Sequence, residues 1–205
     1  MPAEPAYVPG MSAPDLMTAD ELQHVYIPDK QVQLVRGVLV VRELPGLRHA
    51  RVAADLTFRL SVHVHQADLG QVLAEAGFKL ASDPDTVRGP DVAFITRDRL
   101  PDPEPAGFAD FAPDLAVEVI SPGDRAGEIL AKVADWLSAG TRLVWVIDPA
   151  RRVARVYRTD GTERILSVDE SLDGEDVVPG FTCPLGEVIQ ARSGTEGPLH
   201  HPPDR

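Results

Sequence analysis

The chain has 205 residues, 43% hydrophobic and 25% charged, which suits one soluble domain with its own core. No apolar run approaches the roughly 18 residues that a membrane-crossing helix requires, and the single cysteine, Cys183, excludes an internal disulfide and a cysteine-built zinc site. A net charge of −12 is awkward for a nucleic-acid binder, because phosphate contacts call for a basic face.

Residues 1–15 (MPAEPAYVPGMSAPD) are rich in Pro and Ala and read as a disordered tail, as do residues 191–205. The first segment has neither the basic start nor the apolar stretch of a secretory signal, so a cytoplasmic protein is expected. Residues 16–190 are expected to form a single domain. Thr18 and Glu21 make a capping box and predict a short helix through Tyr26. The β-branched run Gln31 to Arg42 predicts strand, with Gly37 at a turn or bulge. From Leu47 to Asp68, Val52, Leu56, Leu60 and Val64 recur at helical spacing and predict a long amphipathic helix, with His49 just before it.

GQVLAEAGFKL alternates as a strand, and DPDTVRG reads as a polar loop leading into the strand PDVAFI. Residues 97–113 hold four prolines, and a loop of that length is expected to be a lid or a substrate-facing flap. PDLAVEVI is the next strand. Ser121-Pro122-Gly123-Asp124 then opens a helix to about Ala139, stopped by Gly140. RLVWVID is almost continuously apolar, as a central strand is. Asp160-Gly161 predicts a hairpin between RRVARVYR and TERILSV, and a last short element ends near Gln190. The expected class is α/β, a mixed central sheet flanked by helices.

Charge is unevenly spread. Between Asp160 and Glu187 eight acids face one base, Arg164, while Arg151, Arg152, Arg155 and Arg158 cluster just before. Either a solvated face or a phosphate contact would account for the arginines, the former being the more common. His63 and His65 are two apart on a helix and point apart, so they make no metal pair. Trp136 and Trp145 are spaced as core residues, and Cys183 has no neighbouring acid or base to activate it.

Three residues carry the chemistry. On the PDLAVEVI strand Leu115, Val117 and Val119 share one face and Ala116, Glu118 and Ile120 the other, so Glu118 is a carboxylate inside an apolar strand. Burial without a partner would be costly, so it calls for a cation, a metal or a hydrogen-bond network. Asp91 opens its own strand after Pro90 and could face Glu118 from next door. Lys132, one to two turns into the following helix, can reach back over the strand's end. Two carboxylates and an ammonium suit metal-assisted phosphodiester hydrolysis. The competing account of Lys132 is a surface pair with Glu128, four residues earlier.

The stretch from PDLAVEVISPGD to VIDPARRVARVYR, with PDVAFI before it, resembles the Uma-two family, a branch of the PD-(D/E)xK restriction-endonuclease-like superfamily. The resemblance extends more weakly to the helix at His49 and the QLVRG strand, leaving out only the tails. It implies a restriction-endonuclease-like fold and Mg²⁺- or Mn²⁺-dependent cleavage of nucleic acid, with DNA the expected substrate and a homodimer in keeping with the superfamily. Asp91 and Glu118 match the metal-binding acids, and the backbone carbonyl of Val119 the third ligand. Lys132 matches a lysine moved from the usual position, here Ile120, into the helix. His49 and Ser121 match residues that would contact phosphate, or cap their helices. One departure is plain: where relatives often carry acids in the early strand, this chain has Gln33 and Arg36. That substitution keeps open a catalytically inactive binding or assembly module on the nuclease fold, while the acidity suits a small phosphodiester as substrate.

Overall fold

The capping box forms: the Thr18 hydroxyl accepts from the Glu21 N–H at 3.2 Å, and the Glu21 carboxylate accepts from the Thr18 N–H at 2.8 Å. Helix α1 (Ala19–Leu22) is nonetheless one turn long rather than reaching Tyr26. His24 and Val25 donate to the carbonyls three residues back, the tighter bonding that closes a helix. The computed structural model describes residues 16–190; both predicted tails lie outside the described residues.

Strands β1 (Lys30–Val35) and β2 (Val38–Glu43) form a hairpin. Arg36 and Gly37 both take positive φ, 49° and 75°, the conformation of a tight two-residue turn, so Gly37 marks a turn and not a bulge. Helix α2 (Leu47–Gln66) buries Val52, Leu56, Leu60 and Val64, as its spacing predicts. The expected single strand GQVLAEAGFKL is two: β3 (Gly70–Ala74) and β4 (Phe78–Ala81) lie in different sheets. Glu75 at φ 54° turns the chain between them, and a Cβ at Gly77 would fall 2.3 Å from the Phe108 ring. Alternation continues across this break, which hides it from a pattern reading.

The expected polar loop also contains a strand, β5 (Thr86–Arg88), buried throughout. After β6 (Val92–Thr96), residues 97–113 pack Leu100, Ala109 and Phe111 against the core around Phe78 and Trp136. They are a structural segment rather than a flap over the site. Then follow β7 (Leu115–Val119), α3 (Ala126–Ser138), β8 (Leu143–Asp148), β9 (Val153–Arg158) and β10 (Glu163–Ser167). A small ribbon of β11 (Ser171–Asp173) and β12 (Thr182–Pro184), not expected from the sequence, precedes α4 (Leu185–Ile189).

Six strands make the central sheet, in the order β10-β9-β8-β7-β6-β3, with β7 and β8 parallel and all other neighbours antiparallel. The parallel pair needs a crossover, which α3 supplies. Strand β8 is buried at every residue, as its apolar run predicts. Helices α2 and α4 cover one face with Leu115, Val117, Val119 and Trp145; α3 covers the other, with Ala116, Val144 and Trp136. A second sheet, β2-β1-β5-β4, stands on the α3 side and packs Leu34 and Val87 under α1.

The mixed α/β architecture expected from the sequence is therefore present. No described helix is long and apolar enough to cross a membrane. The basic cluster is largely a salt-bridged face: Arg155 pairs with Glu163 and Arg158 with Glu175, both at 2.5 Å. Cys183 is buried in the α2 core, and burial pushes its thiol up from the ordinary range, with the Arg59 charge opposing. It is expected to react with a thiol reagent only as the protein unfolds, which a reactivity measurement along a denaturant series would check.

Candidate functional site

The site lies at one end of the central sheet, where β6 begins and β7 ends. Pro90 cannot extend the sheet ladder, so Asp91 is where β6 starts to pair. Its N–H donates to the Val117 carbonyl at 2.9 Å, and its carboxylate Oδ2 accepts from the Val119 N–H at 2.6 Å. The side chain thus takes over as the acceptor where the partner backbone runs out.

His49 meets the same carboxylate oxygen, Nε2 to Oδ2 at 3.1 Å. It lies inside the first turn of α2, not before the helix as expected. Burial works against its charge, but the Asp91 hydrogen bond and charge, with Asp124 adding, outweigh that and raise its pKa above the ordinary histidine value. Nδ1 is buried without a hydrogen-bond partner among the described residues. His49 therefore braces Asp91 rather than capping its helix.

Glu118 is 5% exposed and projects to the α3 face, opposite Val117 and Val119. Lys132 Nζ donates to its Oε2 at 2.5 Å and Trp136 Nε1 to its Oε1 at 2.9 Å. Lys132 and Trp136 are four apart on α3, so one helical face supplies both. Burial raises the Glu118 pKa; the Lys132 charge pulls it down and the Asp91 charge pushes it further up. The surface-pair account of Lys132 does not hold. Its partner is Glu118, while Glu128 turns to Arg42 at 3.6 Å.

Ser121 does not cap α3, because the helix begins only at Ala126, with Arg125 in the capping position. Its N–H instead donates to Asp124 Oδ2 at 2.8 Å, holding the loop after β7 in a tight turn. Both Ser121 and Asp124 line a cleft of about 690 Å³ that Asp91, His49, Val119 and Lys132 also line. Glu118 lies behind Lys132, off the cleft wall.

Two further residues of this wall, Arg88 and Arg42, carry no role in the sequence reading, and Gln33 figures there only as the replacement of an acid. Arg88 is buried, held by Asp135 through Nε and Nη2 and by the Gln33 amide oxygen at 3.1 Å. Its signal was a basic residue in the β-branched triplet before Gly89 and Pro90. Arg42 spans the cleft from β2 to Asp124 at 3.1 Å. Gln33 faces the cleft and donates to the Gly89 carbonyl at 3.3 Å.

The chain matches the family model Uma2, described as "Putative restriction endonuclease", over residues 19–186. It belongs to that family. A crystal structure from Anabaena variabilis, titled as a putative nuclease of DUF820, superposes with a TM-score of 0.75 at 18% identity, covering 84% of this chain and 97% of that one. At that identity the likeness is one of fold. No curated protein matches the chain.

The Uma2 family implies a divalent cation, and the donor set can be tested for it. Among the described residues no three His, Cys, Asp or Glu side chains gather in metal-binding range. Asp91 Oδ1 makes no hydrogen bond among the described residues, and each Glu118 oxygen accepts only one. A carboxylate oxygen has capacity for two. Hard oxygen donors, few in number, fit Mg²⁺ or Mn²⁺, which bind through one or two carboxylates and keep several waters.

Proposed function

We propose that this protein is a metal-dependent nuclease that hydrolyses phosphodiester bonds in nucleic acid, with DNA as the substrate. The observation that carries the reading is Glu118: a buried carboxylate in an apolar strand, bonded to an ammonium that reaches the cleft, beside Asp91 on the neighbouring strand. A purely structural ion pair of this kind returns little stability for its desolvation cost. Asp91 and Glu118 would hold Mg²⁺ or Mn²⁺, with the Val119 carbonyl as a third oxygen donor. The cation would supply Lewis acidity at phosphate and a lowered pKa for bound water.

The rest falls to the chain's own groups. Lys132 stands on the cleft wall, where its ammonium would neutralise charge that builds on the phosphate oxygens. Asp91 is held in place by the Val119 N–H and by His49, so it need not reorganise when a ligand arrives. Ser121, on the cleft wall, would donate its hydroxyl to a phosphate oxygen.

A second reading, an inactive binding module on the nuclease fold, is favoured by Gln33 at a cleft position where relatives often carry an acid. Incubation of wild type with labelled single-stranded and duplex oligonucleotides, in Mg²⁺, Mn²⁺ or EDTA, separates the two. Cleavage that EDTA abolishes supports the nuclease; intact substrate in every metal supports the binding module.

A further inference from the structure

The cleft says which form of nucleic acid it admits. One of its walls is the face of the β1–β2 hairpin that carries Gln31, Gln33, Val35, Val40 and Arg42; the facing wall is α3 with Lys132. The hairpin register sets Gln33 opposite Val40 and Gln31 opposite Arg42, so the two amides lie beside one aliphatic group and one guanidinium on one surface. The two walls are clasped together, Arg42 reaching Asp124 at 3.1 Å and Glu128 at 3.6 Å. What remains is about 690 Å³, the scale of a pocket that takes one or two small-molecule-sized groups.

We propose that the substrate is an unpaired strand, with a base lodged against the Gln33–Val40 wall while its phosphate reaches Asp91 and Lys132. This rests on the nuclease reading and names its substrate class. Three observations support it. A duplex-reading surface typically buries about 1,000–2,500 Å² of protein and is strongly cationic, whereas the walls of this cleft are clasped by Arg42 with Asp124 and Glu128. Its cations, Arg42, Arg88 and Lys132, are each already matched by acids, Asp124, Asp135 and Glu118. The chain as a whole carries −12, which disfavours binding that depends on many phosphate contacts. An unpaired base instead offers an apolar face to Val35 and Val40 and hydrogen-bonding edges to a glutamine amide.

The test uses the full chain carrying Asp91→Asn, so that binding is read without turnover. Fluorescence anisotropy in EDTA compares a short labelled DNA strand, the same sequence as RNA, and its blunt duplex. The expected result is binding of an unpaired strand at least tenfold tighter than the duplex, about 1.4 kcal/mol. The DNA and RNA arms decide which sugar the cleft accepts. Val40→Glu, on a partly exposed strand, is expected to weaken strand binding about tenfold with the melting temperature unchanged.

Equal or tighter binding of duplex overturns the proposal, as does binding of no oligonucleotide at all, or strand binding that Val40→Glu leaves intact. The two readings fail separately. A wild type that cuts duplex as well as single strands sinks only the strand inference. A wild type that cuts nothing, while Asp91→Asn still binds the unpaired strand, sinks only the hydrolase.

Discussion

Asp91→Asn is expected to lower metal-dependent hydrolysis on the order of 10³-fold while the protein stays folded. Asparagine keeps an oxygen where Val119 N–H needs an acceptor, so the junction of β6 and β7 survives. What is lost is the negative charge that, on the proposed reading, holds the cation at the cleft wall. His49 loses its charged partner too, at a cost of about 1–2 kcal/mol, small enough to leave the variant native. His49→Gln should cost less, roughly 10- to 100-fold, because it removes only the brace behind Asp91. Initial rates beside denaturant melts would check both. Near wild-type rates in Asp91→Asn would mean that the carboxylate is a structural cap on the strand and nothing more.

Lys132→Met is expected to destabilise the protein by about 3 kcal/mol at neutral pH, because Glu118 is left as a buried charge with Trp136 as its remaining partner among the described residues. The effect should depend on pH with a definite sign. Burial already raises the Glu118 pKa; removing Lys132 takes away the charge that pulls it down, so the folded value rises further above the ordinary 4.5. A folded carboxyl with a raised pKa binds more protons than the unfolded one, so stability falls as pH rises through that window. Below the ordinary glutamate value Glu118 is protonated in both states, and the deficit of the variant should shrink. Urea titrations in EDTA across the acid range would show the two proteins converging. A gap that widened towards acid would contradict the ion pair as described.

Much of this was legible in the sequence where one physical signal dominated. Val52, Leu56, Leu60 and Val64 are buried as their spacing predicts, and β8 is central because nothing polar interrupts it before Asp148. The alternation around Glu118 correctly set its carboxylate on the face away from Val117 and Val119. The misreadings share another cause, that a local pattern does not report which sheet a strand joins. β3 and β4 alternate without a break yet part at Glu75 and Gly77. β5 reads as a loop because DPDTVRG is largely polar, though Asp135 and Gln33 satisfy Arg88 inside the fold. Ser121 looked like a cap because it precedes a helix, yet the turn at Asp124 delays the helix to Ala126. Tertiary partners such as Trp136 for Glu118 and Arg42 for Asp124 leave no mark at short sequence range.

The central claim is that Asp91 and Glu118 hold a divalent cation, and a Mn²⁺ titration by calorimetry of wild type, Asp91→Ala and Glu118→Ala tests it without any choice of substrate. Wild type is expected to bind Mn²⁺ saturably, and both alanine variants are expected to lose that binding while remaining folded. A wild type that takes up no Mn²⁺, or three proteins that bind it alike, would contradict that claim.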